Sequence, residues 1–506
     1  MNLYTTNKFF KKGLCLVLLV ALILVGCKKL AETPIPSDVI AENAVYSNDA
    51  TSIAVLTAIY TTLNEGPFQG SQSNTGSITL NSGLAVDEFA ITTPFVSNNS
   101  LFLRFYQNDL SQTNPSSVSG GEHWSFFYNA VFKCNAAIAG LSSPQADALT
   151  PKVQQQLLGE AKFLRAFFYF YMVNEFGDVP LVLTTDPQTN TNLPRAKKAD
   201  VYQQMIADLL DAEEKLSADY LDISLLSKTT ERVRPTKWAA TALLARVYLY
   251  NEEYMKAEQK ATAVINNSNF NLLPDLNKVF LKNSSEAIWQ IQPTEQNINT
   301  REGLALNIPA TGPSSSGSII NPACLSKQLL NSFEATDKRR LYGNWVDTTI
   351  YKLTAILNDT MAFAYKYKIG ATTGVTTVGA LTEYFMMLRL GEQYLIRSEA
   401  RSQLNNIGGA QSDLNLIRNR AGLPNTIAGD KTSLLAAIIH ERQVELFAEI
   451  GHRLFDLKRT GNIDAVMNLV TPLKTNGSAW RSYQQLFPIP LSVIQSSPNV
   501  KQNPGY

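Results

Sequence analysis

The residues with the chemistry to act on something are concentrated in the last quarter of the chain. Arg389, Glu392, Arg397, Glu399 and Arg401, then Glu441, Arg442, Glu445, Glu449 and Arg453, flank apolar stripes on predicted helices. Carboxylates held apart from cations could serve as general acid and base. Here arginine alternates with glutamate at pairing distance, which predicts ion pairs locking helix to helix. Other catalytic signatures are missing: no G-x-S-x-G elbow, Walker loop, dinucleotide fingerprint or C-x-x-C occurs. Histidine is limited to His123, His440 and His452. His440-Glu441 begins like a zinc-protease helix, but Val444 stands where the second histidine must be. No catalytic residue, metal ligand or cofactor is therefore expected. Paired carboxylates for glycoside hydrolysis need only proximity in space, and the sequence marks none out.

Binding without catalysis asks for different residues. A saccharide offers an apolar ring face and a rim of hydroxyls, so its site wants aromatic platforms beside Asn, Asp, Arg and Thr. Two long stretches without helical period supply that mix, residues 64–121 and 291–382. Their length predicts function, and their aromatic content argues against disorder. Within them, Phe68, Asp87, Arg104, Tyr106, Tyr342 and Trp345 are the candidate ligand contacts. The basic cluster Lys338–Arg340, flanked by Glu334 and Asp337, reads as a solvated face.

These loops need a scaffold. Apolar spacings of three and four predict helices through Ile53, Leu56 and Tyr60, and through Trp124, Tyr128, Val131 and Asn135. They also predict one through Tyr202, Ile206, Leu209 and Ala212. Trp124 is expected in the core. In PTKWAATALLARVYLYNEEYMKAEQKATAVI, Ala242, Ala245, Ala257 and Ala261 alternate with Tyr248 and Tyr254 over two helices of ~34 residues, the tetratricopeptide pattern. Pairs at 155–176/200–216, 235–250/252–267 and 385–405/409–421 fit a degenerate helical array. The pair near the end places Leu388, Gly391, Leu395 and Ser398 on one face. A following helix carries Leu435, Ile439, Leu446 and Ile450. Between the arrays, EAIWQIQ reads as a strand with Trp289 packed, and 351–369 as a β-hairpin turning at Asn358-Asp359. The fold class is mainly α: a tetratricopeptide-like repeat scaffold, about 39–63, 122–270 and 383–460, with long loops and a few short β-hairpins.

The segments GEQYLIRSEARSQL, LNLIRNRAGL, HERQVELFAEIGHRLFDLKR, FPIP at Phe487–Pro490 and the terminal QNPGY resemble the C-terminal signature of the RagB/SusD family of outer-membrane nutrient-binding lipoproteins. GEAKFLRAFFYFYMVNEFGDVPLVL from Gly159 to Leu183 is similar to the family as well. The resemblance implies a SusD-like fold whose ligand site lies on loops over one face, with no bond broken. It implies a SusC-like TonB-dependent transporter as partner, to which an oligosaccharide or other nutrient, peptides included, is delivered. The family's aromatic platform follows a Thr/Val-Asp-Glu motif, matched by Val86-Asp87-Glu88; carried over, this implies Thr92, Thr93, Phe95 and Asn98 as ligand contacts. A helical-repeat adaptor binding only protein is the competing class.

The amino end agrees with a lipoprotein. The basic stretch MNLYTTNKFFKK precedes the short apolar run LCLVLLVALILVG and then Cys27. This predicts a signal peptide over 1–26, lipidation of Cys27 and a Pro-containing tether over 27–38, leaving 39–506 as one domain. The apolar run is shorter than the ~20 residues a membrane span needs. Loss of Lys8, Lys11 and Lys12 leaves 41 basic against 43 acidic residues, without the basic excess that nucleic acid requires. Cys134 and Cys324 sit among apolar or small neighbours and are expected as buried free thiols. The expected location is the outer membrane, lipid-anchored and surface-exposed.

Overall fold

A computed structural model describes residues 45–64, 66–69, 76–96, 100–110, 121–316, 320–352, 358–474 and 479–506. Cys27, the leader, the tether and Asn98 lie outside the described residues. Helix α1 (Asp49–Thr62) starts where the Asn48 side chain accepts the Thr51 N–H, and it buries Leu56 and Ile59. Helix α2 (Ile78–Ala85) is buried at every residue; Ser77 caps it by accepting the Leu80 N–H. Strand β1 (Phe89–Ile91) and helix α3 (Leu101–Gln107) follow.

The scaffold comes next. Helices α4 (Gly121–Leu141), α5 (Pro151–Phe176), α6 (Lys198–Lys215), α7 (Lys237–Tyr250) and α8 (Tyr254–Ile265) pack each on the next. Between α7 and α8 the small faces meet: Ala242, Ala245, Ala257 and Ala261 are all fully buried. Helix α5 is apolar on nearly all sides from Phe163 to Phe176, as a central helix must be. Trp124 is a core residue, as its helical position predicts. Its neighbour Asn135 donates to the Val182 carbonyl at 3.0 Å.

Strands β2 (Ala287–Ile291), β3 (Ala323–Leu325), β4 (Val346–Lys352), β5 (Asn358–Ala364) and β6 (Phe385–Arg389) form two-stranded ladders, β1 with β3, β2 with β6 and β4 with β5, and a further short ladder pairs Val179 with Ala196 and Pro180 with Arg195. Helices α9 (Leu390–Gln403), α10 (Ile407–Arg420), α11 (Lys431–Glu445) and α12 (His452–Arg459) complete the stack, with α9 against α8. Among the described residues no helix is long and apolar enough to cross a membrane. Cys134 and Cys324 are both free thiols, Cys134 fully buried and Cys324 half-buried.

Four sequence expectations need correction. Phe385–Arg389 is a strand buried at every position, with Leu388 opposite Trp289, because a short run apolar on all sides suits a strand as well as a helix. The predicted last helix breaks after Glu445. Ala448, Ile450 and Gly451 take positive φ, and the turn is held where the Glu88 carboxyl accepts the Ala448 N–H at 3.0 Å and Thr79 Oγ1 accepts that of Ile450 at 3.1 Å. Helix α11 therefore buries Leu434, Ile438, Glu441 and Glu445, while Leu435 and Ile439 stay half-buried. The hairpin begins at Val346, and Asn358 and Asp359 belong to its return strand, opposite Lys352 and Tyr351. Arg339 is fully buried; only Lys338 and Arg340 of that cluster face solvent.

The charged residues pair as their spacing predicts. Arg165 meets Asp208 at 2.6 Å, Arg246 meets Glu392 at 2.6 Å, and Arg397 meets Asp413 at 2.7 Å, joining α5 to α6, α7 to α9 and α9 to α10. At the centre Glu445 accepts from Arg339 at 2.8 Å and from Arg389 at 2.7 Å, with Arg420 as a third donor. Burial raises the pKa of Glu445, but Arg420, Arg389 and Arg339 outweigh it and hold the carboxyl well below the usual range.

Candidate functional site

The two loop stretches meet through the ladder of β1 and β3, where Phe89 faces Leu325 and Ile91 faces Ala323. The contact continues past the strands: Thr92 donates its N–H to the Pro322 carbonyl at 3.0 Å and its hydroxyl to that of Asn321 at 2.6 Å. Asn321 in turn donates to the carbonyls of Leu304 and Ala305, each at 3.2 Å. Backbone groups without helical partners are thereby satisfied by residues distant in sequence. The inner face of the β4–β5 hairpin lies over this layer, and Tyr351, Met361 and Phe363 cluster with Ile308. Gly312 takes φ +93°, and a Cβ there would stand 2.5 Å from the Tyr351 ring, so glycine alone fits.

At the rim of this layer three polar groups converge. The Tyr351 hydroxyl donates to Asp359 Oδ2 at 3.3 Å, and the side chain of exposed Thr93 lies beside it. Burial of the Tyr351 ring lifts its pKa above the ordinary phenol value, so the hydroxyl keeps its proton. The trio offers donors and acceptors of the kind a polyol rim needs. Sequence reasoning missed Tyr351 and Asp359; the period-two alternation of the hairpin was the signal that sets them opposite each other.

Of the sequence-derived contacts, Thr93 stands at this rim. Thr92 is fully buried, its hydroxyl spent on Asn321. Phe68 is a core residue ringed by Phe126, Phe127, Phe167, Phe168 and Tyr171, with no face open to a sugar. Phe95 is buried edge-to-face on Phe102. Trp345 is fully buried beneath Lys366, Arg389 and Arg420, and its indole N–H donates to the Leu276 carbonyl at 3.0 Å. Arg104 and Tyr106 are buried along α3, the latter under the Lys474 ammonium. Tyr342 is 70% exposed but bridges to Val346 at the hairpin base. Tyr351 lies five residue steps along the strand from Val346, roughly 17 Å, so Tyr342 does not share the Thr93 rim.

Asp87 has a different task. Its carboxylate accepts from Arg453 Nε at 2.8 Å and Nη2 at 2.6 Å, and from Gln443 at 3.2 Å. Its backbone carbonyl accepts the Ser326 hydroxyl, and that of Glu88 accepts the Ser326 N–H at 3.0 Å. Ser326 caps helix 327–332. Residues 87–88 thus bind the first loop stretch, the second, and the break between α11 and α12 into one node. Burial pushes Glu88 up to about 8, so its carboxyl is protonated at neutral pH. Burial likewise lifts Glu302, which accepts the Ser77 hydroxyl at 2.8 Å, to about 7. Among the described residues no group of three His, Cys, Asp or Glu side chains is placed to hold a metal ion. His123 and Glu175 form a buried pair, 2.9 Å apart.

The fold is a helical-repeat scaffold that carries a layer of irregular backbone on one ladder of paired strands. The sequence profile of the SusD family matches residues 341–506, and a profile described as starch-binding associating with outer membrane matches residues 46–249. SusD-like protein P2 of Formosa agariphila is 27% identical over 542 residues, spanning 98% of this chain and 100% of that protein. Starch-binding protein SusD of Bacteroides thetaiotaomicron is 24% identical over 430 residues, spanning 72% and 75%. A laminarin-binding SusD-like protein of known structure superposes with a TM-score of 0.71 at 24% identity, covering 91% of this chain and 100% of that one. The chain belongs to the SusD/RagB family, and its fold is the family's tetratricopeptide-like one.

Proposed function

We propose that this protein captures an oligosaccharide on the loop layer and delivers it to a SusC-like TonB-dependent transporter in the outer membrane. A lipidated Cys27, followed by the 28–38 tether, would hold it there. Capture is equilibrium binding; the transporter supplies the energy, and no bond is broken. The observation that carries the reading is the joining of two loop stretches 229 residues apart, Thr92 to Asn321, into one rim bearing Thr93, Tyr351 and Asp359. Starch-binding and laminarin-binding relatives on the same fold support a saccharide as the cargo.

The test is calorimetric titration of the chain from Lys28 onward with starch-derived and laminarin-derived oligosaccharides and a wider glycan panel. At least one glycan is expected to bind. Asp359→Ala and Thr93→Val each remove a hydrogen-bonding group and should weaken it roughly five- to tenfold, about 1–1.5 kcal/mol, with an unchanged melting temperature. Absence of glycan binding at millimolar concentration, together with capture of a protein partner alone, would return the chain to the adaptor class.

A further inference from the structure

A cavity of about 350 Å³ lies between helix α1, the segment 221–234 that links α6 to α7, and the end of β2. That is the lower end of the range for small-molecule sites. Its walls are mostly aliphatic: Ile53, Leu221, Val233, Ile291 and Pro293 line it, with Ile223, 87% exposed, at the lip. The cavity sits where both loop stretches leave the scaffold, and there Asn64 Nδ2 donates to the Gln292 carbonyl at 2.8 Å. None of Thr93, Tyr351 and Asp359 lines it.

The polar groups of the lining set the charge of what enters. Its one cation, Arg234, is already engaged: it pairs with Glu160 at 2.6 Å, donates to Thr57 Oγ1 at 2.8 Å and lies over the Tyr60 ring at 5.5 Å. Tyr60 is the only aromatic ring in the lining, so a sugar has little to stack on. Two carboxylates remain. Glu231 meets Lys282 at 2.8 Å and Asn283 at 3.2 Å, both through Oε1, while its Oε2 is buried without a hydrogen-bond partner. Asp222 accepts the Ser224 N–H at 3.0 Å and hydroxyl at 2.6 Å, and among the described residues it enters no ion pair. Arg232, between Glu231 and Val233, turns away onto the Tyr220 and Phe270 rings. A buried carboxylate oxygen without a donor costs stability. A charged N–H carried in on a hydrocarbon body would satisfy it while its body covers the aliphatic wall.

We propose that this cavity is a second ligand site, which takes a compact organic cation, a primary ammonium on an apolar body, independently of the loop layer. The probe is phenethylamine, titrated into the chain from Lys28 onward at neutral pH and followed by ligand-observed NMR. Phenethyl alcohol, of nearly the same shape but uncharged, is the control. The amine should bind at millimolar concentration, and the alcohol roughly tenfold more weakly, since it forfeits the charge-assisted contact. Glu231→Gln should weaken the amine about tenfold, whereas Asp359→Ala should leave it unchanged. Thr61 lines the cavity from an exposed position of α1, so Thr61→Trp should abolish binding by filling the mouth. That variant carries the test should Glu231→Gln, which also frees Lys282, fail to fold. No binding of millimolar phenethylamine overturns the proposal. So does equal affinity for the alcohol, binding that survives Thr61→Trp, or displacement of the amine by a glycan that Asp359→Ala also weakens.

Discussion

Replacing Glu445 by Gln should remove the charge on which the C-terminal helices converge. The carboxylate is fully buried and receives three guanidinium bonds, from Arg339, Arg389 and Arg420. Charge-assisted bonds contribute roughly 1.5–3 kcal/mol each. Glutamine keeps the volume and one acceptor, but it turns an amide N–H toward cations. Each arginine retains another carboxylate: Asp337 for Arg339, Glu449 for Arg389 and Glu286 for Arg420. The loss should therefore fall near the ~3–5 kcal/mol typical of a broken buried pair. With an unfolding entropy of about 1 kcal/mol/K for roughly 460 residues, that lowers Tm by about 3–5 °C in calorimetry at pH 7. The sign with pH follows from the depressed carboxyl: its stabilisation is present above the ordinary carboxylate value and is lost only as pH falls below it. Lys256→Ala, which removes a lysine 56% exposed in its pair with Glu253, is the control and should leave Tm essentially unchanged. A Tm drop below 1 °C for Glu445→Gln, or a difference from the native protein that vanishes already above pH 5, would refute the reasoning.

Glu88→Gln tests the opposite sign. A raised carboxyl contributes fully below its unfolded value and loses that contribution as pH rises through about 8, so native stability should decline between pH 5 and 8 relative to the glutamine variant. Parallel stability curves in denaturant would count against a protonated Glu88. Phe68→Ala should cost about 3–5 kcal/mol, as a truncated core aromatic does, while Tyr342→Ala should change stability by less than about 0.5 kcal/mol. Urea midpoints decide both, and the reverse order would put Phe68 back on the surface.

Helices were readable where apolar and small residues kept a spacing of three and four over several turns. The alanine-rich pair Lys237–Ile265 and the ion-paired α9 and α10 behave as their spacing requires. Reading failed where a run buried on both sides is short, as at Phe385–Arg389, whose five residues carry no period to separate strand from helix. It failed differently in the loops. Polar, non-periodic composition made Phe68, Phe95 and Trp345 look like exposed platforms. Burial comes from partners distant in sequence, such as Phe167 for Phe68 and the Leu276 carbonyl for Trp345, which no local pattern announces. Asp87 illustrates the same limit: its type fitted a ligand contact, but its partner Arg453 lies 366 residues on.

The Asp87–Glu88 node explains why a scaffold of regular helices can carry an irregular layer in a fixed position. Loops pack through scattered polar bonds, and each alone is worth about 1 kcal/mol. A layer held only by such bonds would slide over the helices. Replacing buried ion pairs by apolar contacts would cost little stability, so stability alone does not account for them. What Arg453 adds is direction, because its planar fork grips Asp87 at both oxygens. Glu88 meanwhile fixes Ala448 in a left-handed conformation that an alanine would not choose unaided. The break between α11 and α12 is thereby tied to β1, and β1 to β3. The rim bearing Thr93 and Asp359 inherits its position from a turn in the C-terminal helices that touches neither residue.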